Sequence, residues 1–394
     1  MALEIRVVDD IDMQDAYYLS AQAFRGGQRD DNFAERRRSD KNRPASTMFG
    51  VYDGAGLQAK VVIIPYKEIF GTQFIAPMGG IGGVACLPAS RGKGYAGACL
   101  RHALGYMRET GMFLSTLYPF AWEFYRRLGW EWIGAQRTYT VPTRIMSAAP
   151  ETESVRLAIL SDRPAIGAIY SEFAGRYRGM AVRDERMWNS LLDDGGENYT
   201  YTYLYESPEG PEGYLTFQAG GKESTRLNEY LVLTSRAQRA LLGLLRRHEM
   251  QVSAFKWTVP GNDGLWSNLY HNEVVTRIDP VVQARIVDIV PAFSALNPPL
   301  GCAGKAVLGI TDQAAPWNSG IWSVETEAGR VSMTPSQLEP DVECDIQAIT
   351  QAYYGFPTLD SVRAAGRLCV HNEDGYNVLS RLLSGPIVWL NDHF

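Results

Sequence analysis

Histidine and cysteine are scarce in this chain, with five of each among 394 residues. No H-E-x-x-H segment and no C-x-x-C pair occurs. The sequence therefore lacks the spacings that most often hold zinc, and no metal is expected. The cysteines (Cys86, Cys99, Cys302, Cys344 and Cys369) are odd in number and unpaired in spacing. They read as reduced thiols of a cytoplasmic protein. Long apolar runs are also missing. Nothing approaches the roughly 18 residues of a membrane span. Met1-Ala2-Leu3-Glu4 lacks the basic-then-apolar order of a signal peptide. An excess of positive charge is missing too: 38 Lys and Arg stand against 44 Asp and Glu, a net charge of −6. That balance argues against a general nucleic-acid binder and is compatible with cationic substrates. What is present is ordinary for a water-soluble globular chain, 45% hydrophobic and 21% charged. Its length suggests roughly two to three domains.

One stretch organises the rest. Gly79–Met107 reads as a strand that stops at Leu87-Pro88, a Gly-rich turn Arg91-Gly92-Lys93-Gly94-Tyr95-Ala96, and a helix. Ala96, Leu100, Ala103, Leu104 and Met107 fall at helical spacing in that last part. Such a turn is a phosphate cradle in outline. Glycines let backbone N–H groups approach an anion, and the free N–H groups of the helix start point at it. A plain strand–turn–helix with glycines for tightness is the alternative. A P-loop is excluded, since no Gly-Lys-Ser/Thr follows; a dinucleotide fingerprint is set aside on the spacing of its glycines.

Ahead of this stretch, Glu4–Val8 reads as a strand, with Asp12 as a cap for a helix over Met13–Phe24. Arg25–Arg43 carries seven cations against four anions, most simply a solvated face. Strands at Met48–Tyr52 and Leu57–Ile64 flank the turn Asp53-Gly54-Ala55-Gly56. A further strand is expected at Thr72–Pro77. Beyond the organising helix, Phe113–Leu117 leads as a short strand into Tyr118-Pro119-Phe120-Ala121-Trp122-Glu123-Phe124-Tyr125-Arg126-Arg127-Leu128-Gly129-Trp130.

The chain then repeats itself. Glu153–Ala174 tracks Leu3–Phe24 at an offset of 150, placing Arg156 on Arg6 and Asp162 on Asp12. Glu229–His248 tracks the organising stretch at an offset of 145, placing Arg236 on Arg91 and Leu245 on Leu100. In this second copy Ala237 stands where the first has Gly92, and Arg239 where it has Gly94. Side chains there block close approach to a phosphate. The middle domain is expected to keep the fold and lose the ligand. From about Arg285 the character changes. Strands are expected at Arg285–Val290, Lys305–Thr311, Gly320–Thr326 and Gly329–Met333. Helices are expected at Asp345–Gly355, Leu359–Ala365 and Asn377–Leu383. The apolar run Pro386–Leu390 suggests a docked chain end.

R-x-x-G-x-A after a strand resembles the acetyl-coenzyme-A loop of the GNAT N-acetyltransferases. Y-x-x-L-G-W from Tyr125 to Trp130 resembles that family's second hallmark, a short helix whose tyrosine lies beside the cofactor sulfur. The segment Ala306–Asp312 with Trp317–Val324 is similar to the sterol-carrier fold. Taken whole, the chain resembles the Eis family: an α/β (α+β) protein with tandem GNAT folds, the second degenerate, and a sterol-carrier-protein-like domain. The resemblance assigns residues 1–143 to the acetyl-CoA-binding domain, 144–284 to the degenerate copy and 285–394 to the last domain. It implies acetyl transfer from acetyl-CoA to an amine of an aminoglycoside, a polyamine-like compound or lysine, in a homohexamer. Carried over residue by residue, it places Val84, Ala85 and Cys86 along the pantetheine. Arg91, Gly92, Lys93, Gly94, Tyr95, Ala96 and Gly97 fall at the pyrophosphate, and Phe120 and Ala121 along the cofactor arm. Tyr125 is implied as general acid and the α-carboxylate of Phe394 as general base.

The chemistry requires such groups: a neutral amine, an oxyanion donor and a proton for the leaving thiolate. A phenol of reference pKa ~10 can protonate a thiolate whose conjugate acid lies near ~8.5. An α-carboxylate needs burial or a water relay to act as base. His102, Glu123 and His393 are rival bases. Phe24, Phe33 and Trp122, with Asp392, would line the acceptor pocket and favour amines with an apolar body. The competing reading is a non-catalytic protein that binds a lipid or small ligand in its last domain.

Overall fold

The computed structural model describes residues 3–28, 30–35, 45–192, 200–218, 223–269 and 271–392. The chain divides into two units. One comprises Met1–Ile133, Val281–Gly385 and Asn391–Phe394; the other comprises Gly134–Pro280 and Pro386–Leu390.

The first unit begins with strand β1 (Glu4–Val7) and helix α1 (Met13–Phe24). Asp12 sits at the N-cap, but its side chain caps nothing. It pairs instead with Arg6, Nη2 to Oδ2 at 2.5 Å, because a neighbouring guanidinium outcompetes a backbone N–H for a carboxylate. Strands β2 (Thr47–Asp53), β3 (Gly56–Phe70) and β4 (Phe74–Cys86) form an antiparallel meander. The strand expected at Thr72–Pro77 and the one after it are a single strand, β4, and β3 runs six residues past Ile64. Pro65 and Pro77 suggest breaks, but each falls where a missing N–H is harmless. Pro65 lies past the end of the β2 ladder at Ile63, and Pro77 lies before the β5 ladder begins at Met78.

Helix α2 (Tyr95–Glu109) buries Cys99, Leu100, Ala103, Leu104 and Met107 against Val51, Ala59, Val61 and Ile63 of the sheet. Strand β5 (Leu114–Leu117) runs parallel to β4, and α3 (Trp122–Arg126) leads to β6 (Glu131–Ile133). Between β5 and β6 lies a strand from far along the chain, Val282–Ile286, antiparallel to both. A strand was expected at Arg285–Val290 as part of the last domain. It ends at Ile286 and completes the first sheet, while Ile289–Ser294 is a helix capped by Asp288. The last domain follows, with a five-stranded sheet and helices at Ile346–Tyr354, Leu359–Ala364 and Glu373–Leu383.

The second unit is built on a seven-stranded sheet that includes Gln136–Pro142 and Val275–Asp279. Here the internal repeat becomes structural. Arg156 and Asp162 form a two-point ion pair at 2.6 and 2.8 Å, the counterpart of Arg6 and Asp12. The run Pro386–Leu390 docks in this unit. Arg178 donates its N–H to Ile387 and accepts from Trp389, and Val388 and Trp389 are buried.

Candidate active site

The site grows from the place where two parallel strands part. Strand β4 stays paired with β3 as far as Cys86, opposite Ala59. Its ladder with β5 ends at Ile81, opposite Leu117. Gly82–Cys86 thus offers a free strand edge, ready to take another extended chain by backbone hydrogen bonds. At the end of that edge lies the turn before α2. Gly92 and Gly94 hold φ of 82° and 81°, and a Cβ on either would meet nothing within 4 Å. Gly94 is the N-cap of α2, and no side chain caps the helix. The first N–H groups of α2 therefore face outward without an internal acceptor, as an anion site requires.

The second copy shows what happens when such a turn is filled. Its helix, Ser235–Arg246, starts at the position equivalent to Ser90, so the loop itself has wound into helix. Thr234 caps it, accepting from the Ala237 N–H at 3.1 Å. Ala237 is fully buried. Arg236 is tied to Glu212 (Nε, 2.7 Å) and Arg239 to Glu151 (Nε, 3.0 Å). Every feature that leaves the first helix start available is occupied in the second.

Around the first turn lies a cleft of about 710 Å³. It collects Phe24, Val84, Ala85, Cys86, Arg91, Gly92, Gly94, Tyr95, Ala96, Gly97 and Phe120 of the expected site, and adds Ala23, Ser90, Phe124 and Arg127. Ser90 and Arg127 carry no motif signal; Arg127 was legible only as the second arginine of Tyr125-Arg126-Arg127. Lys93 lies between the two glycines, with Nζ 5.9 Å from the centre of the Tyr95 ring. Ala121 is the N-cap of α3, and Trp122 is its first residue. Asp392 accepts the Tyr118 hydroxyl on its backbone carbonyl at 2.8 Å. Phe33 stacks on Tyr17 at 4.2 Å. Phe394 and His393 lie outside the described residues, as do residues 29 and 36–44 of the basic segment. Of the other rival bases, His102 is exposed with its ring edge on Phe49, and Glu123 is exposed beside Arg126.

Tyr125 stands behind the cleft wall. Its ring centroid is 5.4 Å from that of Phe120 and 5.0 Å from that of Phe124. The hydroxyl has no hydrogen-bond partner among the described residues, and burial pushes its pKa well above that of an ordinary phenol. It is a proton donor at neutral pH. Burial also pushes the Cys86 thiol up, with Arg91 and Lys93 only partly countering it. Cys86 is therefore a poor thiolate nucleophile.

Spacing does not set a dinucleotide fingerprint aside after all, because Gly92, Gly94 and Gly97 have the G-x-G-x-x-G pattern, and β4, α2 and β5 form a parallel unit. Strand β5, however, ends in Leu117-Tyr118-Pro119, without the carboxylate that would hold a ribose. A parted strand pair beside a bare helix start defines a GNAT-type acyltransferase instead.

Comparison with known proteins agrees. Residues 4–133 match an acetyltransferase (GNAT) domain family, residues 179–286 a second family of the same description, and residues 290–391 the sterol carrier protein domain family. The chain is 23% identical over 356 residues to N-acetyltransferase Eis of Mycobacterium tuberculosis, covering 81% of this chain and 82% of that protein. It is 24% identical over 339 residues to an N-acetyltransferase of Streptomyces avermitilis, with the same coverage. The fold is shared with a GCN5-related N-acetyltransferase from Anabaena variabilis (TM-score 0.87, 21% identity, all of both chains). It is shared also with Eis1 from Mycobacterium abscessus (TM-score 0.80, 18% identity, all of both chains). Tandem GNAT domains followed by a sterol carrier domain, with the likeness to Eis, support an Eis-type GNAT N-acetyltransferase, an enzyme that depends on an acyl-coenzyme A.

Proposed function

We propose that this enzyme transfers acetyl from acetyl-CoA to a primary amine by direct attack within a ternary complex. The observation that carries the reading is the pairing of a free β4 edge with an uncapped Gly-turn helix start, in the first copy alone. Those features fit acetyl-CoA. Gly82–Cys86 would pair with the extended pantetheine arm, with Val84, Ala85 and Cys86 nearest the thioester. Gly92–Gly97 would hold the pyrophosphate, aided by the charge of Arg91 and Lys93. Phe120 and Ala121 would cover the arm. When bound, acetyl-CoA supplies the activated acyl group.

Each group of the chain then has a task. Backbone N–H groups of Val84–Cys86 would stabilise the oxyanion as it forms. Tyr125, buried and protonated, would donate to the departing thiolate. The Phe394 carboxylate would act as base on the acceptor ammonium, attracting the cation and passing its proton through water. The Tyr118–Asp392 bond, which anchors the tail two residues before the end, supports that role. The raised pKa of the Cys86 thiol supports direct attack over an acyl-cysteine route.

For the acceptor, aminoglycoside, polyamine-like and lysine amines all fit the reaction. Among the described residues the cleft carries two arginines and no carboxylate, with Phe24 and Phe120 exposed along it. That wall suits an amine with an apolar body, and Trp122 would border it. The test is thiol release from acetyl-CoA with a panel of amines, run beside Tyr125→Phe. We expect amine-dependent release that falls at least about 100-fold in the variant, within the usual range for a lost general acid. Release at the same rate with and without amine would overturn the reading.

A further inference from the structure

The helix that carries Tyr125 is five residues long. One turn of helix forms too few internal hydrogen bonds to support itself in water, and its last carbonyls have no intrahelical partners. The following turn meets part of that need: Arg127 donates its N–H to the Glu123 carbonyl (3.3 Å) and Gly129 to that of Arg126 (3.0 Å). Side chains that arrive from more than 150 residues later add further donors, from the first residue of the helix to just past its end. Gln283 donates to the Trp122 carbonyl at 3.2 Å, at the start of α3. Gln347 donates to the Arg126 carbonyl at 3.0 Å, at its end. Arg285 donates to the Leu128 carbonyl in the turn that follows. That turn folds back on Tyr125 itself, whose carbonyl accepts from the N–H groups of Leu128 (2.9 Å) and Trp130 (3.2 Å).

The anchors are themselves fixed. Gln283 and Arg285 project from one face of the same strand and are almost completely buried. Arg285 forms a buried ion pair with Asp312 of the last domain. Its guanidinium occupies the space beside Gly129, where φ is 90° and a Cβ would lie 2.3 Å from Nη1. Gln347 stands on the Ile346–Tyr354 helix of the same domain, whose N-cap is Asp345.

We propose that Gln283, Arg285 and Gln347 are positioning residues, and that the sterol-carrier-like domain serves the reaction by clamping the Tyr125 helix from its carbonyl side. The inference rests on the reading of Tyr125 as general acid. Three donors on Trp122, Arg126 and Leu128 fix the height and rotation of a one-turn helix, and so the point in the cleft at which the phenol donates. None of the three lines the cleft. Their loss therefore lowers kcat and leaves the binding of acetyl-CoA to the β4 edge and the Gly turn unchanged.

The experiment uses the full chain with Arg285→Lys, Gln347→Met and Tyr125→Phe, singly and as the two pairs with Tyr125→Phe. Gln347 is only partly buried and makes one bond to the helix, so Gln347→Met keeps the test alive if Arg285→Lys does not fold. We expect kcat to fall roughly 10-fold for Arg285→Lys and about 5-fold for Gln347→Met, less than the roughly 100-fold that a full ångström of misplacement can cost, because the remaining donors still hold the helix. The Kd for acetyl-CoA, read by calorimetry, stays within about twofold, as does the KM for amine. In the Tyr125→Phe background neither substitution lowers kcat further, because both act through the missing hydroxyl. Folded variants with unchanged kcat overturn the clamp. So does a fall in kcat that persists in full in the Tyr125→Phe background. A Tyr125→Phe enzyme at the parent rate instead removes the general-acid reading itself, and that outcome is distinct from both.

Discussion

Gly94→Arg copies the second repeat into the first, and the structure fixes what it should do. Gly94 sits at φ 81° with no atom within 4 Å of an added Cβ. An L residue there pays only the left-handed backbone penalty, about 1–2 kcal/mol. No clash adds to it, so the melting temperature should fall by a few degrees and the fold should remain. Binding should respond differently. The Arg side chain rises over the N–H groups that begin α2, where the pyrophosphate would rest. Charge-assisted hydrogen bonds of this kind are worth about 1.5–3 kcal/mol each. Loss of two amounts to roughly 3–6 kcal/mol, or about 10²–10⁴ in Kd. Calorimetric titration with acetyl-CoA, beside a thermal melt, measures both. The substitution also separates shape from charge. Arg adds a cation beside an anion site, so if simple attraction governed binding, Gly94→Arg would bind acetyl-CoA as well as the parent or better. A folded variant with parental Kd would refute the cradle.

Glu68 is almost fully buried, accepts one hydrogen bond from the Tyr354 hydroxyl at 3.0 Å, and has its pKa pushed up to about 8 by burial. A carboxyl raised above its unfolded value near ~4.3 makes stability fall as pH climbs from there towards 8, and level off above. Glu68→Gln should remove that slope and raise stability at pH 8 by up to ~5 kcal/mol; parallel Tm–pH curves for the two proteins would count against it. A short peptide added after Phe394 should lower turnover at least about tenfold while the same peptide at the N-terminus does not, since only the former converts the α-carboxylate to an amide; equal rates would take the carboxylate out of the mechanism. A chain ending at Ile133 should be insoluble, and one ending at Val287 should fare little better, because Arg285 would then be buried without Asp312, a loss of about 3–5 kcal/mol; a sharp cooperative melt for either would disprove the dependence.

The parts of this molecule that could be read from the sequence are those written in local pattern. The Gly turn and α2 follow from strand, glycine and helical spacing within thirty residues. The duplication was visible because Arg6 and Asp12 recur as Arg156 and Asp162, and the same ion pair forms in both copies. The loss of the turn in the second copy was legible at Ala237 and Arg239. That the helix would begin at Ser235 and consume the loop was not, since it depends on Thr234 capping Ala237. Two prolines hid the continuity of β3 and β4, because their tolerance is decided by where neighbouring strands end. The strand Val282–Ile286 alternates apolar and polar side chains, and the strand expected there was placed at Arg285–Val290. Its partners lie more than 140 residues earlier, and no local pattern encodes a pairing of that range. Gln283, Arg285 and Gln347 carry no signal of their role in the sequence for the same reason: a polar side chain reveals its buried partner only once the fold has brought that partner near.

This interleaving explains why the acetyltransferase domain is not a self-contained module. Its sheet is closed by a strand made only after the middle domain has been traversed. That strand cannot be left out, because β5 and β6 do not pair with each other and meet only through it. Nor can it stand alone. Arg285 is charged and fully enclosed, a state sustained by Asp312, which is held in turn by the N–H groups of Ala314 and Ala315 and by Asn318. The requirement passes outward from β5 to the strand, from the strand to Arg285, and from Arg285 to the loop of the last domain. A chain whose first domain is completed by a strand lying beyond its second must keep the segment between them whether or not that segment binds anything. The middle copy could then lose its ligand site without being lost itself, and its filled helix start is what that freedom looks like in residues.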